Sequence, residues 1–102
     1  MNQLAFKMYL KPNALEEYKK RHDEIWPELQ ALLKNTGIGT YCIFYDSETN
    51  CLFAYQENHG TDSQSLGKNP VVQKWWKYMS DLMETQPDYA PLQMDLQKVF
   101  SL

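Results

Sequence analysis

The feature that most constrains this fold is an apolar stripe at helical spacing that a proline interrupts. Eight side chains recur at steps of three or four residues: Leu15, Tyr18, His22, Ile25, Trp26, Leu29, Leu32 and Leu33. This spacing is typical of an amphipathic helix with one buried face. Pro27 cannot continue a regular helix and disfavours helical angles at the residue before it. The pattern therefore predicts a helix over about 14–22, a break over 23–27 and a second helix over about 27–35.

Strand patterns lie on either side of these helices. Apolar residues alternate over residues 3–10 and again over 94–102, which predicts a strand near each end of the chain. Residues 40–45 and 51–57 are also strand-like, and the short polar loop between them predicts a hairpin. Residues 58–69 are polar and weakly patterned, which is typical of a loop with one short helical turn.

Polar residues mark the expected helix starts. Asn13, with Glu16 three residues later, predicts a capping box before the first helix. Asn69 and Pro70 are a favourable cap and first residue for a last helix. The apolar face of that helix is expected to carry Val71, Val72, Trp75, Trp76, Met79, Leu82 and Met83. Because successive helical residues are about 100° apart, one of the two adjacent tryptophans should enter the core and the other should reach a neighbouring surface.

The order of these elements is strand, broken helix, hairpin, helix, strand. This is the β-α-β-β-α-β order of ferredoxin-like α+β domains, and 102 residues suit one domain over 1–102. In such a domain the helices cover one face of the sheet. Both hairpin strands are apolar on both faces, so the second face also needs a cover. We therefore expect a homodimer in which the two sheets pack face to face.

Composition excludes several classes of function. The net charge is −3, with acidic and basic residues mixed along the chain, so no basic patch indicates a nucleic-acid partner. No apolar run approaches the length of a membrane span, and the first residues do not resemble a signal peptide. Cys42 and Cys51 are too few for a disulfide scaffold or a structural zinc site. The simplest expectation is a cytoplasmic protein with two free thiols and no metal.

His22 is the candidate for chemistry. It lies in the apolar stripe, one turn after Tyr18 and one turn before Trp26. A histidine in such a stripe is more often a hydrogen-bonded core residue than a catalyst, so the periodicity alone leaves both interpretations open. An imidazole with a pKa near 6.5 can give or take a proton at neutral pH. The other histidine, His59, lies in a polar stretch and is expected at the surface.

Two motifs resemble one known family. They are Tyr18-x-x-Arg21-His22-x-x-Ile25-Trp26-Pro27-Glu28-Leu29 and, downstream, Trp75-Trp76-Lys77-Tyr78-Met79. Together they closely resemble the L-rhamnose mutarotase family, and the resemblance runs over nearly the whole chain. The stretch over 58–69 departs from the family by being about a residue shorter and less apolar than expected.

The resemblance implies a fold, an activity and a set of roles. It implies a dimeric α+β barrel that interconverts the α and β anomers of L-rhamnose without a cofactor or a metal. It implies that His22 is the proton donor. It implies that the sugar is bound by Tyr18, Tyr41, Trp75 and Trp76. Met8 and Trp26 are expected as apolar walls of the pocket, where they would suit the C6 methyl group of the sugar.

The mechanism expected from these roles is ring opening and reclosure. His22 as imidazolium would protonate the ring oxygen while a base, water or a tyrosine, takes the proton of the anomeric hydroxyl. Two other functions stay open at this stage. One is a cofactor-free monooxygenase or haem-handling protein on a similar dimeric barrel, which only the fold supports. The other is a dimeric sugar-binding module without catalysis.

Overall fold

The structure is a computed structural model that describes residues 2–60 and 63–102. In chain order its elements are β1 (Asn2–Tyr9), α1 (Leu15–Asp23), α2 (Pro27–Asn35), β2 (Ile38–Asp46), β3 (Cys51–Asn58), a 3-10 helix (Ser63–Lys68), α3 (Pro70–Met79) and β4 (Gln93–Asp95). The strands form one antiparallel sheet in the order β2-β3-β1-β4. This is the predicted ferredoxin-like α+β arrangement. No helix among the described residues is long and apolar enough to cross a membrane.

Pro27 divides the first helical region as predicted. α1 ends at Asp23, and α2 begins with Pro27 at its first position. Trp26 has φ −58° and ψ 130°, the extended conformation that a following proline favours. The apolar stripe continues across the break, with Tyr18 and Leu29 both buried in the same core. The break therefore redirects the chain without interrupting the buried face.

The two predicted caps have different outcomes. The Asn69 side chain accepts a hydrogen bond from the Val71 N–H at 2.9 Å, so the predicted start of α3 is confirmed. The predicted capping box at Asn13 is wrong. Ala14 occupies the cap of α1, with no side-chain hydrogen bond, while Asn13 has φ +62° in the preceding turn. Asparagine adopts this left-handed conformation more readily than most residues, so the turn uses it instead of the helix.

The C-terminal part of the chain is less regular than predicted. α3 ends at Met79, and Leu82 and Met83 reach the core from the loop that follows. β4 is only three residues long, so the prediction of a strand to residue 102 is wrong beyond Asp95. The Leu96 N–H still donates to the Ala5 carbonyl oxygen at 2.8 Å. The alternating pattern of residues 97–102 does not make a strand, because a strand also needs a hydrogen-bonded neighbour. Their apolar side chains are exposed, and Phe100 retains 74% of its accessible surface.

None of the helices in the described parts of the chain covers the outer face of the sheet. One row of paired residues crosses this face, with Phe44, Phe53, Lys7 and Met94 on β2, β3, β1 and β4 in turn. Phe44 is 64% exposed and Met94 is 54% exposed. Both are large apolar side chains that a single copy of the chain leaves in contact with water.

Candidate active site

A cavity of about 1280 Å³ lies between the helices and the inner face of the sheet. The strand register sets its floor, because residues paired across antiparallel strands point to the same side. Two rows of paired residues cross this inner face: Ile43, Ala54, Phe6 and Asp95 in one, and Tyr45, Leu52, Met8 and Gln93 in the other. The cavity is larger than the roughly 300–1,000 Å³ that small-molecule sites usually occupy. It therefore has room for a small organic ligand.

His22 lines this cavity from the last turn of α1. Its Nδ1 lies 3.0 Å from the Tyr18 carbonyl oxygen, one turn earlier in the helix. A carbonyl oxygen can only accept a hydrogen bond, so Nδ1 carries a proton and donates it. This contact fixes the orientation of the ring and leaves Nε2 as the nitrogen that can exchange a proton with a ligand.

Burial controls the charge of His22. Desolvation lowers the pKa of the imidazole below its ordinary value, and the Tyr18 carbonyl and nearby Asp23 oppose this shift only in part. The ring is therefore mainly neutral at pH 7 and gains its second proton at lower pH. A group that titrates on the acid side of neutrality can both give and take a proton during a reaction.

Tyr18 and Tyr41 supply phenol groups close to His22. The Tyr18 ring stacks on the imidazole with 4.2 Å between ring centroids. Burial raises the pKa of Tyr18 far above its ordinary value, and Tyr41 adds to the shift. Tyr41 is 38% exposed as a residue, and desolvation of its phenol raises its pKa to about 12. Both phenols therefore keep their protons and can donate hydrogen bonds to a ligand.

The two adjacent tryptophans of α3 point in different directions, as predicted. Trp75 is buried in the core and meets the His22 ring edge-on, with 5.4 Å between centroids. Trp76 also lines the cavity and lies against the 3-10 helix, where a Cβ at Gly67 would be 3.1 Å from its ring. Because Gly67 has no side chain, it leaves room for the Trp76 ring at the edge of the cavity.

Met8 and Trp26 occupy different positions relative to the cavity. Met8 is buried on β1 and lines the cavity floor. Trp26 packs edge-on against Trp75, with 5.1 Å between centroids, and contacts Tyr78. It is not among the residues that line the cavity. Trp26 is partly buried and packs against Trp75 outside the cavity, so the expectation that it forms a cavity wall is wrong.

Arg21 joins α1 to the end of α3, a role that its place in the Lys19-Lys20-Arg21 run does not reveal. Its guanidinium donates to the Tyr78 carbonyl oxygen at 2.6 Å and to both carboxylate oxygens of Asp81 at 2.9 and 3.2 Å. It also donates to Glu17 at 2.9 Å, the helical pair expected from their spacing. These contacts hold the residue before His22 against the helix that carries Trp75.

Two polar floor residues are not evident from the sequence. Gln93 and Asp95 lie on β4 and line the same cavity as His22. Their alternation with Met94 indicates two faces, but only the pairing with β1 shows which face is the inner one. Within the ranges 2–60 and 63–102, no group of three or more His, Cys, Asp and Glu side chains could hold a metal ion.

Comparisons with known proteins give consistent matches. Residues 3–102 match the family described as L-rhamnose mutarotase. An L-rhamnose mutarotase of Bacteroides thetaiotaomicron is 52% identical, and the match covers 100% of this chain and 99% of that protein. One from Phocaeicola vulgatus is 50% identical with the same coverage.

Solved structures agree with the sequence matches. A crystal structure of an L-rhamnose mutarotase from Formosa agariphila superposes with a TM-score of 0.94 at 45% identity, covering 100% of this chain and 99% of that one. A dimeric ferredoxin-like protein from an uncultured marine organism superposes with a TM-score of 0.56 at 14% identity, covering 98% and 96%. The second match concerns the fold alone.

Proposed function

Since this chain belongs to the L-rhamnose mutarotase family, whose activity is to interconvert anomers, we propose that His22 carries the proton transfers of this isomerase in the cavity above the sheet. The observation that carries the proposal is the hydrogen bond between His22 Nδ1 and the Tyr18 carbonyl oxygen. This hydrogen bond holds the imidazole ring in one orientation and leaves Nε2 free to exchange a proton with the sugar.

Ring opening requires two proton transfers and no redox step. The imidazolium Nε2–H of His22 gives its proton to the ring oxygen as the bond between that oxygen and C1 breaks. A water molecule takes the proton of the anomeric hydroxyl, which becomes the aldehyde oxygen. Because burial raises the pKa of Tyr18 and Tyr41, these phenols serve as hydrogen-bond donors and not as that base. Rotation about C1–C2 and the reverse transfers close the ring on the other carbonyl face, so no cofactor is needed.

The proposed sugar site combines hydrogen bonds with aromatic surface. Tyr18 and Tyr41 donate to sugar hydroxyls, and the rings of Trp75 and Trp76 contact the C–H face of the pyranose. Met8 offers an apolar surface to the C6 methyl group. The rate acceleration that the site must supply is modest, because sugar anomers already exchange in water. A positioned acid or base increases the rate roughly 10²–10⁴-fold.

The test compares two histidines. We expect wild type to accelerate exchange between the anomeric NMR signals of L-rhamnose in weak buffer. His22→Ala and His22→Asn should lose most of that acceleration, roughly 10²-fold or more. His59→Ala is the matched control, because His59 is the other histidine and is exposed, and it should keep wild-type activity.

Two results would reject parts of this proposal. Full activity in His22→Asn would show that another group transfers the protons. Sugar binding without faster exchange in wild type would favour the binding module. Circular dichroism and thermal unfolding of each variant identify any loss of activity that comes from misfolding.

The proposal includes a homodimer formed through the outer face of the sheet. Exposed Phe44 and Met94 support it, because large apolar side chains on an uncovered sheet face favour association. Phe44→Glu should convert the dimer to monomer in sedimentation experiments. Ala31→Glu adds the same charge on exposed helix surface and should leave the dimer intact. A Phe44→Glu protein that remains fully dimeric would place the interface elsewhere.

The remaining parts of the proposal are the domain and its location. We propose that residues 1–102 form one domain, supported by the single sheet that includes both β1 and β4. We also propose a cytoplasmic location, supported by the two free thiols Cys42 and Cys51. Fractionation of cells that produce the protein tests the location directly, and recovery outside the cytoplasm would contradict it.

A further inference from the structure

We propose that Asp95 determines sugar specificity by accepting hydrogen bonds from sugar hydroxyls at the β4 edge of the cavity. This inference rests on the proposed sugar site around His22 and extends that site to the opposite side of the floor. Its ligand class is a pyranose with free hydroxyls, and its effect is on binding of the sugar more than on proton transfer.

The strand register places Asp95 on the inner face. Asp95 pairs with Phe6, and Gln93 pairs with Met8, so all four side chains point toward the helices. Met8 belongs to the same core cluster as Trp75, and Trp75 contacts the His22 ring. Asp95 on β4 and His22 on α1 therefore line one cavity.

The charge distribution singles out Asp95 among the floor residues. Of the described residues that line the cavity, only Asp23 and Asp95 carry carboxylates. Asp23 lies on the helix side, beside His22, whereas Asp95 is the carboxylate of the sheet. The hydrogen bonds and ion pairs found between residues 2–60 and 63–102 include none to the Asp95 carboxylate. Asp95 is exposed, and no described residue occupies its carboxylate oxygens.

The chemistry of a carboxylate fits a sugar hydroxyl. An ionised carboxylate only accepts hydrogen bonds, and its two oxygens can accept from two neighbouring hydroxyls. Leu52, Met8 and Phe6 make the floor apolar next to β4, whereas its polar groups are Gln56, which pairs with Tyr41, and Gln93 and Asp95 on β4. Tyr41 offers one O–H donor at the β2 edge, and Asp95 offers an anionic acceptor at the β4 edge.

The test measures KM and kcat separately by anomer exchange at several L-rhamnose concentrations. Asp95→Asn removes the charge at nearly constant size and should raise KM roughly 10-fold or more, with kcat changed much less. Glu48→Gln removes a charge from the exposed hairpin loop and should leave both constants unchanged. Sugars lacking one hydroxyl identify the contact, because the analogue without the bound hydroxyl should lose no further affinity in Asp95→Asn.

Each alternative result has a defined meaning. If wild type accelerates exchange and Asp95→Asn has the same KM, the inference about Asp95 is wrong while the mutarotase site stands. If Asp95→Asn lowers affinity equally for every analogue, Asp95 makes no specific hydroxyl contact and the inference also fails. If wild type itself does not accelerate exchange, the proposed function fails first. Sedimentation of Asp95→Asn shows whether Asp95 has a role in assembly instead. A changed oligomeric state together with an unchanged KM would also overturn the inference.

Discussion

Replacing Arg21 with methionine tests whether the link between α1 and α3 holds the active site together. The variant keeps an unbranched side chain but loses the hydrogen bond to the Tyr78 carbonyl oxygen and the paired contacts with Asp81. It also loses the contact of the guanidinium with the Tyr78 ring, 4.4 Å from the ring centroid. Every contact removed joins α1 to the C-terminal end of α3, apart from the local pair with Glu17.

The expected cost follows from adding these contacts. A hydrogen bond with a charged donor contributes about 1.5–3 kcal/mol, and exposed ion pairs contribute about 0–1 kcal/mol each. A partly exposed cation–π contact adds about 0.5–1 kcal/mol. Because these contributions are not independent, we expect the free energy of unfolding to fall by about 2–3 kcal/mol. We also expect kcat to fall about tenfold, because small displacements of a catalytic group reduce rates strongly.

Urea unfolding and anomer exchange measure the two effects. The matched control is Lys20→Met, which removes a positive charge from an exposed position on the same helix. All proteins are compared at one protomer concentration, because the proposed dimer would gain stability with concentration. If Arg21→Met unfolds at the same urea concentration as Lys20→Met and keeps its kcat, the link has no role in holding the two helices.

Three further predictions concern His22 and one glycine. Because burial lowers the pKa of His22, its protonated fraction grows about tenfold per pH unit as the pH falls from 8 to 7. We expect kcat to grow with it, and a kcat that does not depend on pH in this range would contradict the role of His22 as an acid. In the unfolded chain this histidine gains a proton near pH 6.5, above its pKa in the folded protein. Wild type should therefore lose stability relative to His22→Asn as the pH falls below about 6.5. If urea unfolding of the two proteins depends on pH in the same way, the burial argument is rejected. Gly37→Ala should destabilise the fold by about 1–3 kcal/mol, because φ is +92° and the new Cβ would meet the Gly60 backbone; unchanged thermal unfolding would refute this.

The sequence predicts those parts of the fold that depend on local chemistry. Pro27 at the first position of α2 and the Asn69 cap of α3 are examples, because a fixed φ and a short side-chain acceptor act within one turn. The expected cap at Asn13 failed because the preceding turn also favours asparagine, and sequence alone does not rank the two uses. Local chemistry thus determines an element most reliably where one use of a residue has no competitor.

The residues of the candidate site also differ in whether the sequence alone predicts them. His22 and Tyr18 are one helical turn apart, so helical spacing alone predicts that they meet. Asp95 could not be assigned to the cavity from its sequence, because its face depends on pairing with β1, nearly ninety residues earlier in the chain. The length of β4 also depends on that pairing, since alternation in residues 96–102 describes side chains and not hydrogen bonds. Long-range register is the information that the local pattern lacks.

The brevity of β4 has a consequence for how this family can tolerate changes in chain length. Its three residues alternate, so Gln93 and Asp95 face the cavity while Met94 faces outward. A one-residue insertion in the segment before β4, if it shifted the strand by one position, would exchange these faces. It would put methionine among the polar groups of the cavity and carboxamide or carboxylate groups on the apolar outer surface. The proposed ligand recognition and the proposed subunit association would then both change in a single mutational step. A change of length in that segment is neutral only if the loop before β4 accommodates it without shifting the strand.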